Sequence, residues 1–399
     1  MDIMVFPGTL SGTVHAIPSK SQAHRVLICA AFADKPTSIQ CKQTNDDIEA
    51  TSDCLRSLGA SICRTEDGYE VSPIKNIPEC AILNCRESGS TLRFMLPIAG
   101  ALGVDTIFEM SGRLPQRPLS PLWEEMEHMG CTLTRPTKNT IRCQGKLRPG
   151  SFTIDGSVSS QFITGLLFAT ALIPEKSKIN ITGHLESEPY IRLTQQVLAD
   201  FGVNSQGYHV TGKLPFSSPG SYMVEGDWSN AAFFLAAQIM GNSVTVNGLD
   251  PMSTQGDSAC AGILAQLSSE KTTVDCKNIP DLVPILAVAA ATRHGAVFTN
   301  IGRLRLKESD RVESVLNMLS ALGADGYANE NEMHIFPANF HGGTVDSVND
   351  HRIAMAAAIA TTSASAPVTI LGADCVKKSY PSFWDVYLQL GGRYEQYIR

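Results

Sequence analysis

The sequence predicts an α/β (α+β) chain of two pseudo-threefold domains, built from six copies of one unit. Six stretches are apolar on nearly every face: VLICAAFA, LRFMLPIAGALG, FITGLLFATAL, AAFFLAAQIM, LVPILAVAAA and IAMAAAIATT. Each is followed by an amphipathic run that ends on a small residue, at a nearly constant offset of 38–43 residues from the start of the apolar stretch. A chain of 399 residues is also too long for a single core, and two domains are the expected division.

Taken in order, the apolar helices start near Ser21, Ser88, Ser159, Trp228, Asp281 and Asp350. A helix apolar all round has to be buried on all sides. Their many alanines let neighbouring backbones approach closely. The second, amphipathic helices close at Gly59, Gly130, Gly202, Ser268, Gly323 and Gly391; a glycine just past a helix is the expected left-handed cap. Each unit therefore reads as apolar helix, strand, amphipathic helix and further strands. The turn-rich stretch PFSSPGSYMVEGDWSN marks a crossing between domains near residue 226. The expected lobes are residues 19–227, and residues 228–399 completed by 1–18, with an active site in the cleft between them. The short piece belongs with the second lobe if the first strand pairs there.

The net charge of −7 leaves no global basic field, so nucleic acid is not an expected partner. The eleven cysteines are scattered singles and read as reduced core thiols of a cytosolic protein; Cys80 and Cys85, the closest pair, have no nearby histidine to make a metal site. The N-terminal MDIMVFPGTLSG is too short in its apolar run for a signal peptide, and LVPILAVAAA is about half a membrane span. A cytoplasmic chain with no membrane partner is expected.

The starts of the apolar helices carry the polar groups: KSQAHR, ESGSTLR, SSQF, GDWSN, PDLVP and NDHR. A helix N-terminus offers free N–H groups and a partial positive charge, which suits an anion. Taken singly, the Ser, Asp and Asn residues are N-caps. Lys20, Arg25, Arg93 and Arg352 are not, because a cation at that end opposes the helix dipole. Their presence predicts a bound anion that offsets the repulsion. Ser21 and Arg25 are four apart, on one face. The starts of the second helices add Arg113 and Arg117, Ser187 and Tyr190, the run Lys307, Glu308, Asp310 and Arg311, and Lys378. Lys307 and Arg311 are expected on one helical face, with Glu308 able to pair with Arg311. Facing lobes would enclose a pocket rich in cations, suited to substrates bearing phosphate and carboxylate groups.

The ordered motifs SKSQAHR, SGSTLRF, RLPQRPL, SSQF, SEPYIR, IPD, RLKESDR, DHRIAM and KKSYP resemble those of the 5-enolpyruvylshikimate-3-phosphate synthases, of the enolpyruvyl transferase family, over nearly the whole chain. The resemblance implies two domains, each of three βαβαββ copies in an inverse α/β barrel, that close on substrate. It implies transfer of the enolpyruvyl group of phosphoenolpyruvate to the 5-hydroxyl of shikimate 3-phosphate, the sixth step of the shikimate pathway to chorismate and aromatic amino acids. It implies small-molecule partners only, no metal, no organic cofactor and a monomer.

By motif, Lys20, Ser21, Arg25, Ser159, Ser160, Gln161, Ser187, Tyr190 and Lys307 match shikimate 3-phosphate contacts, with Tyr190 beneath the ring. Gly89, Arg117, Arg311, Arg352 and Lys378 match a phosphoenolpyruvate clamp, and Lys20 and Gln161 touch both substrates. Asp281 matches the base that takes the hydroxyl proton and also contacts shikimate 3-phosphate; Glu308 matches the group that moves a proton at the enol carbon, with Lys20 as a third catalytic residue. Two positions depart from the family pattern: Glu87 stands where Asn is usual, and Arg303 where many members have Asn. SSQF, rather than S-A-Q-x-K, leans towards sensitivity to glyphosate. The rival family, UDP-N-acetylglucosamine 1-carboxyvinyltransferase, has Lys-Asn where this chain has Lys20-Ser21, and a loop cysteine that GRLPQRP lacks. A non-catalytic anion-binding repeat protein would need neither Asp281 nor Glu308 beside the cations.

Overall fold

Five of the six apolar runs begin directly after a side chain that caps them. Ser19, Ser88, Ser159, Asp227 and Asp350 each accept a backbone N–H from the first turn of the helix that follows. The sixth starts after Leu282 without a side-chain cap and has Pro284 in its first turn instead. A computed structural model describes residues 1–212 and 214–396. The chain divides into two compact units, Pro18–Glu225 and Met1–Ile17 with Gly226–Arg399.

In the unit Pro18–Glu225 the helices are α1 (Lys20–Ala31), α2 (Asp46–Ser57), α3 (Gly89–Leu102), α4 (Leu122–His128), α5 (Ser160–Leu172) and α6 (Glu188–Asp200). The odd-numbered helices are the apolar ones. α3 and α5 lie against each other, and Gly165 makes this possible: a Cβ there would stand 2.2 Å from the Arg93 carbonyl oxygen. Three sheets surround the helices. Strand Cys80–Asn84 runs parallel to Asp105–Glu109, which pairs antiparallel with Thr140–Gly145 and, beyond it, Cys131–Thr137. The first repeat has the same order, but its leading strand is Ser221–Met223, from the far end of the unit. The third repeat keeps three strands, with a short 3-10 turn, Gln206–Tyr208, before its last.

The other unit contains α7 (Trp228–Ile239), α8 (Cys260–Ser269), α9 (Val283–Ala291), α10 (Arg311–Ala321), α11 (His351–Thr361) and α12 (Phe383–Gln389). α7, α9 and α11 pack on one another, and every residue of α9 and α11 is buried. The N-terminal residues complete this unit. Ile3–Phe6 sits between Val368–Leu371 and Arg393–Gln396 as the inner strand of the last sheet, and Ser11–His15 pairs parallel with Ser243–Asn247. Asp227 N–H bonds to the Ile17 carbonyl. Pro18, Gly226 and Asp227 thus fall on the other side of the boundaries expected from sequence.

Gly59, Gly130, Gly202, Gly323 and Gly391, five of the expected terminators, have φ between 77° and 112°, the backbone a Cβ disfavours. Ser268 is the exception. α8 runs on through Ser269 and stops at an extended Glu270, because too few residues separate it from the next leading strand, Thr272–Asp275, for a cap and a strand pair of its own. Nine cysteines are buried and Cys63 and Cys80 are exposed, so the reading of all eleven as core thiols fails for those two. No described helix is long and apolar enough to cross a membrane.

Candidate active site

In the unit Pro18–Glu225 the polar helix starts are tied into a ring. Lys20, the first residue of α1, places its Nζ 2.9 Å from Asp47 Oδ2 on α2. Thr91 of α3 donates to the Asp47 carbonyl at 3.4 Å. Gln161 of α5 donates to Ser90 Oγ of α3 at 2.9 Å. Thr164 of α5 and Thr194 of α6 are 3.0 Å apart through their hydroxyls. Arg25 closes the ring from α1: Nε donates to Thr194 Oγ1 at 2.8 Å, Nη2 to the Tyr190 carbonyl at 2.9 Å, and Nη1 to the Ser21 carbonyl at 2.6 Å. Ser159 caps α5 and Ser160 is its buried first residue. Ser187 stands directly before α6 in left-handed backbone, φ 53°, a conformation that a non-glycine residue holds only when its surroundings impose it.

Arg25 is 3% exposed, and among the described residues its hydrogen-bond partners are neutral oxygens. Burial pushes its pKa down to about 9, opposed weakly by Tyr190 and Cys29. A guanidinium so placed lacks a countercharge that an anion supplies. At the start of α3 two more guanidiniums converge on Gly89: a Cβ there would lie 2.6 Å from Arg117 Nη1 and 2.7 Å from Arg93 Nη1. Glycine is what lets both cations approach the exposed N–H groups of this helix end.

The second cluster belongs to the other unit. Asp281, just before α9, accepts from Arg311 Nη1 at 2.6 Å and from Arg352 Nη2 at 3.2 Å, with Lys307 Nζ at 3.5 Å. Arg311, 1% exposed, also reaches Glu308 Oε2 at 2.7 Å and Asp350 Oδ2 at 2.9 Å. Arg352 donates to Ser229 Oγ at 3.0 Å, and Ser309 to Asp350 Oδ2 at 3.0 Å. Lys378 donates to the carbonyl of Asn349, the residue before Asp350, at 2.8 Å.

Burial opposes ionisation of Asp281, but Arg352, Lys307 and Arg311 together outweigh it and hold its pKa well below the carboxylate range. Burial lowers the Lys307 pKa to about 8, with Asp281 opposing. For Arg311 burial is likewise overcome, here by Asp350, Glu308 and Asp281, and its pKa is raised.

Two sequence expectations change. Lys307 and Arg311 do not share a helical face, since α10 begins at Arg311 and Lys307 has extended backbone; they converge on Asp281 instead. The cations at the helix starts are also not left wholly to an absent anion. Lys20 has Asp47, Arg352 has Asp281, and Lys307, Arg311 and Arg352 are matched by Asp281, Glu308 and Asp350. Sequence reasoning missed Asp47, Thr164, Thr194, Ser229 and Asp350 as members of these clusters. Asp350 stood in the NDHR motif but read as a cap; it both caps α11, accepting from Arg352 N at 3.0 Å, and holds Arg311.

A family profile, EPSP synthase (3-phosphoshikimate 1-carboxyvinyltransferase), matches residues 6–387. The chain belongs to the EPSP synthase family. Curated relatives named 3-phosphoshikimate 1-carboxyvinyltransferase include that of Clostridium kluyveri, 37% identical over 99% of this chain and 98% of its own, and that of Clostridium novyi, 38% identical over 98% of both. Among solved structures, EPSP synthase from Acinetobacter baumannii superposes with a TM-score of 0.80 at 22% identity, covering 99% of this chain and 100% of that one. The enolpyruvyl transferase NikO from Streptomyces tendae gives 0.74 at 15%, covering 99% and 98%. These establish the enolpyruvyl transferase fold.

Of the two departures from the EPSP synthase pattern, Glu87 has a local explanation and Arg303 has none in the structure. Glu87 lies against Gly112, φ 56°, where a Cβ would stand 2.5 Å from its carboxyl carbon; the glycine makes room for the longer acid. Arg303 sits in the 3-10 turn Gly302–Leu306 and its charge adds to those that lower the Lys307 pKa.

Proposed function

We propose that this chain transfers the enolpyruvyl group of phosphoenolpyruvate to the 5-hydroxyl of shikimate 3-phosphate and releases phosphate. The observation that carries the reading is Asp281: a half-buried carboxylate held between Arg311, Arg352 and Lys307, with Glu308 on the same Arg311 guanidinium. A protein that only bound anions would gain nothing from two carboxylates that neutralise its own cations.

Lys20, Ser21, Arg25, Ser159, Ser160, Gln161, Ser187, Tyr190 and Lys307 bind shikimate 3-phosphate. Gly89, Arg117, Arg311, Arg352 and Lys378 bind phosphoenolpyruvate, with Lys20 and Gln161 serving both. Glu308, which has to enter the step protonated, delivers that proton to the methylene carbon of phosphoenolpyruvate, and the adjacent carbon becomes cationic, stabilised by its oxygen. The 5-hydroxyl attacks that carbon, its proton passes to Asp281, and a tetrahedral adduct forms. Loss of a proton from the new methyl group and cleavage of the carbon–oxygen bond to phosphate then give the enol ether. Each positioned acid or base contributes about 10²–10⁴-fold, and fixed cations around two anions supply much of the remainder.

With Arg352, Lys307 and Arg311 set against it, Asp281 is a poor base, because these cations hold its proton affinity down. Substrate anions that take up donors of Arg311, Arg352 and Lys307 weaken that hold while burial persists, so the carboxylate regains basicity when both substrates are present.

Gly89→Ala tests the division of substrate contacts. The far ends of Arg117 and Arg93 side chains give way to the new Cβ, so stability changes little while the anion site is spoiled. Losing one charge-assisted hydrogen bond raises KM for phosphoenolpyruvate about 10–100-fold. KM for shikimate 3-phosphate stays within about threefold. Equal rises in both constants would contradict the assignment.

A further inference from the structure

A second set of buried polar groups lies one helical turn below the Lys20–Asp47 pair. His24 is four residues after Lys20 on α1, and Thr51 four residues after Asp47 on α2, so each lies on the same face as the residue above it. His24 Nδ1 is 2.7 Å from Thr51 Oγ1, Thr51 Oγ1 is 2.7 Å from Thr91 Oγ1, and Thr91 Oγ1 donates to Ser88 Oγ at 2.8 Å. His24 and Ser88 are each 1% exposed, and Thr51 and Thr91 are fully buried. Ser88 is the cap of α3, and the next residue is Gly89.

The proton order in this chain is fixed from one end. The single hydroxyl proton of Thr91 goes to Ser88 Oγ at 2.8 Å, with the Asp47 carbonyl at 3.4 Å a longer second acceptor, so Thr91 accepts from Thr51, and Thr51 accepts from His24 Nδ1–H. Among the described residues the buried His24 Nε2 is then an acceptor without a partner, and the His24 and Phe94 rings stand edge to face with centroids 6.3 Å apart. Burial, with Lys20 and Arg25 adding to it, keeps the imidazole neutral, which this tautomer requires. Capping α3 needs none of this: Ser88 Oγ already accepts the Thr91 N–H at 3.2 Å. A leucine and two valines would fill the space without burying polar atoms.

We propose that His24, Thr51 and Thr91 form a hydrogen-bonded strut that fixes the start of α3 against α1 and α2, and thereby sets the affinity for phosphoenolpyruvate. His24 is a positioning residue in this scheme, acting through Ser88 and Gly89. The proposal rests on the reading that the Gly89 end of α3 binds phosphoenolpyruvate. Arg93 and Arg117 stand so close to Gly89 that a displacement of a few tenths of an ångström changes how they meet an anion.

Steady-state kinetics of Thr51→Val, His24→Leu and His24→Asn, with Gly89→Ala alongside, test it. Thr51→Val keeps the shape of the side chain, so it carries the test if His24→Leu does not fold. Breaking the strut raises KM for phosphoenolpyruvate about tenfold, while kcat and KM for shikimate 3-phosphate stay within about threefold. His24→Asn, whose amide donates from nearly the position of Nδ1, brings KM back to within about threefold of the native value. An unchanged KM in folded Thr51→Val, equal rises in both KM values, or no rescue by asparagine overturns the strut. If Gly89→Ala raises KM for phosphoenolpyruvate and Thr51→Val does not, only the strut falls; if neither does, the underlying assignment of the α3 end falls with it.

Discussion

Asp281→Ala lowers kcat by about 10²–10⁴-fold, the contribution of one positioned base, and leaves both substrates bound. The affinity follows from the charge balance around the residue. Removing Asp281 takes one partner each from Arg352, Lys307 and Arg311. Arg311 keeps Glu308 and Asp350. The cluster is then more positive by one unit, which favours substrate anions. Calorimetric binding of shikimate 3-phosphate and phosphoenolpyruvate therefore stays equal to native or tightens, while turnover collapses. Near-native turnover would remove Asp281 from the chemistry. A loss of binding matching the loss of rate would make it a substrate contact only.

Arg311→Ala has the largest expected effect on stability. The guanidinium is 1% exposed and contacts Asp281, Glu308 and Asp350. Truncating one partner of a buried ion pair leaves uncompensated charge, at a cost of about 3–5 kcal/mol. That corresponds to a fall in Tm of roughly 6–20 °C for a unit of this size. The deficit depends on pH with a definite sign. In the native protein burial raises the Asp350 pKa, but Arg311 more than reverses this, so the value lies below normal. Asp350 then stabilises the fold above the ordinary carboxylate pKa, and that support is lost as pH falls through the native value. Without Arg311, burial and Glu308 dominate and the pKa rises above its unfolded value. Stability of the variant is therefore lost as pH climbs through that raised pKa. Thermal melts at pH 5 and pH 8 should show a larger deficit at pH 8; an equal deficit, or a larger one at pH 5, contradicts this account.

The helix starts were legible because they are local. Ser88, Ser159 and Asp350 are caps directly in front of apolar runs, and a cap bonds within three residues of itself. The same locality limits what a sequence shows. Asp47 lies 27 residues from Lys20 in the first turn of α2, where an acid is expected simply to complement the dipole. Asp281 and Arg352 are 71 residues apart, and Thr194 and Arg25 are separated by 169. Such pairs become neighbours only when the repeats pack. Cations read as awaiting a ligand are thus partly paired within the protein, as Lys20 is by Asp47 and Arg311 by three carboxylates, whereas the hydrogen-bond partners of Arg25 among the described residues are neutral oxygens. Ser268 failed as a terminator because α8 runs almost directly into the next leading strand, Thr272–Asp275. A residue after α8 has no strand pair to turn into.

Phosphate release from phosphoenolpyruvate, followed with and without shikimate 3-phosphate, tests the central claim most directly. Two carboxylates held among shared cations, waiting for two anions before either can act, predict release only when both substrates are present, with the enol ether formed in equal amount. Release from phosphoenolpyruvate alone at the same rate, or none with the pair, would contradict it.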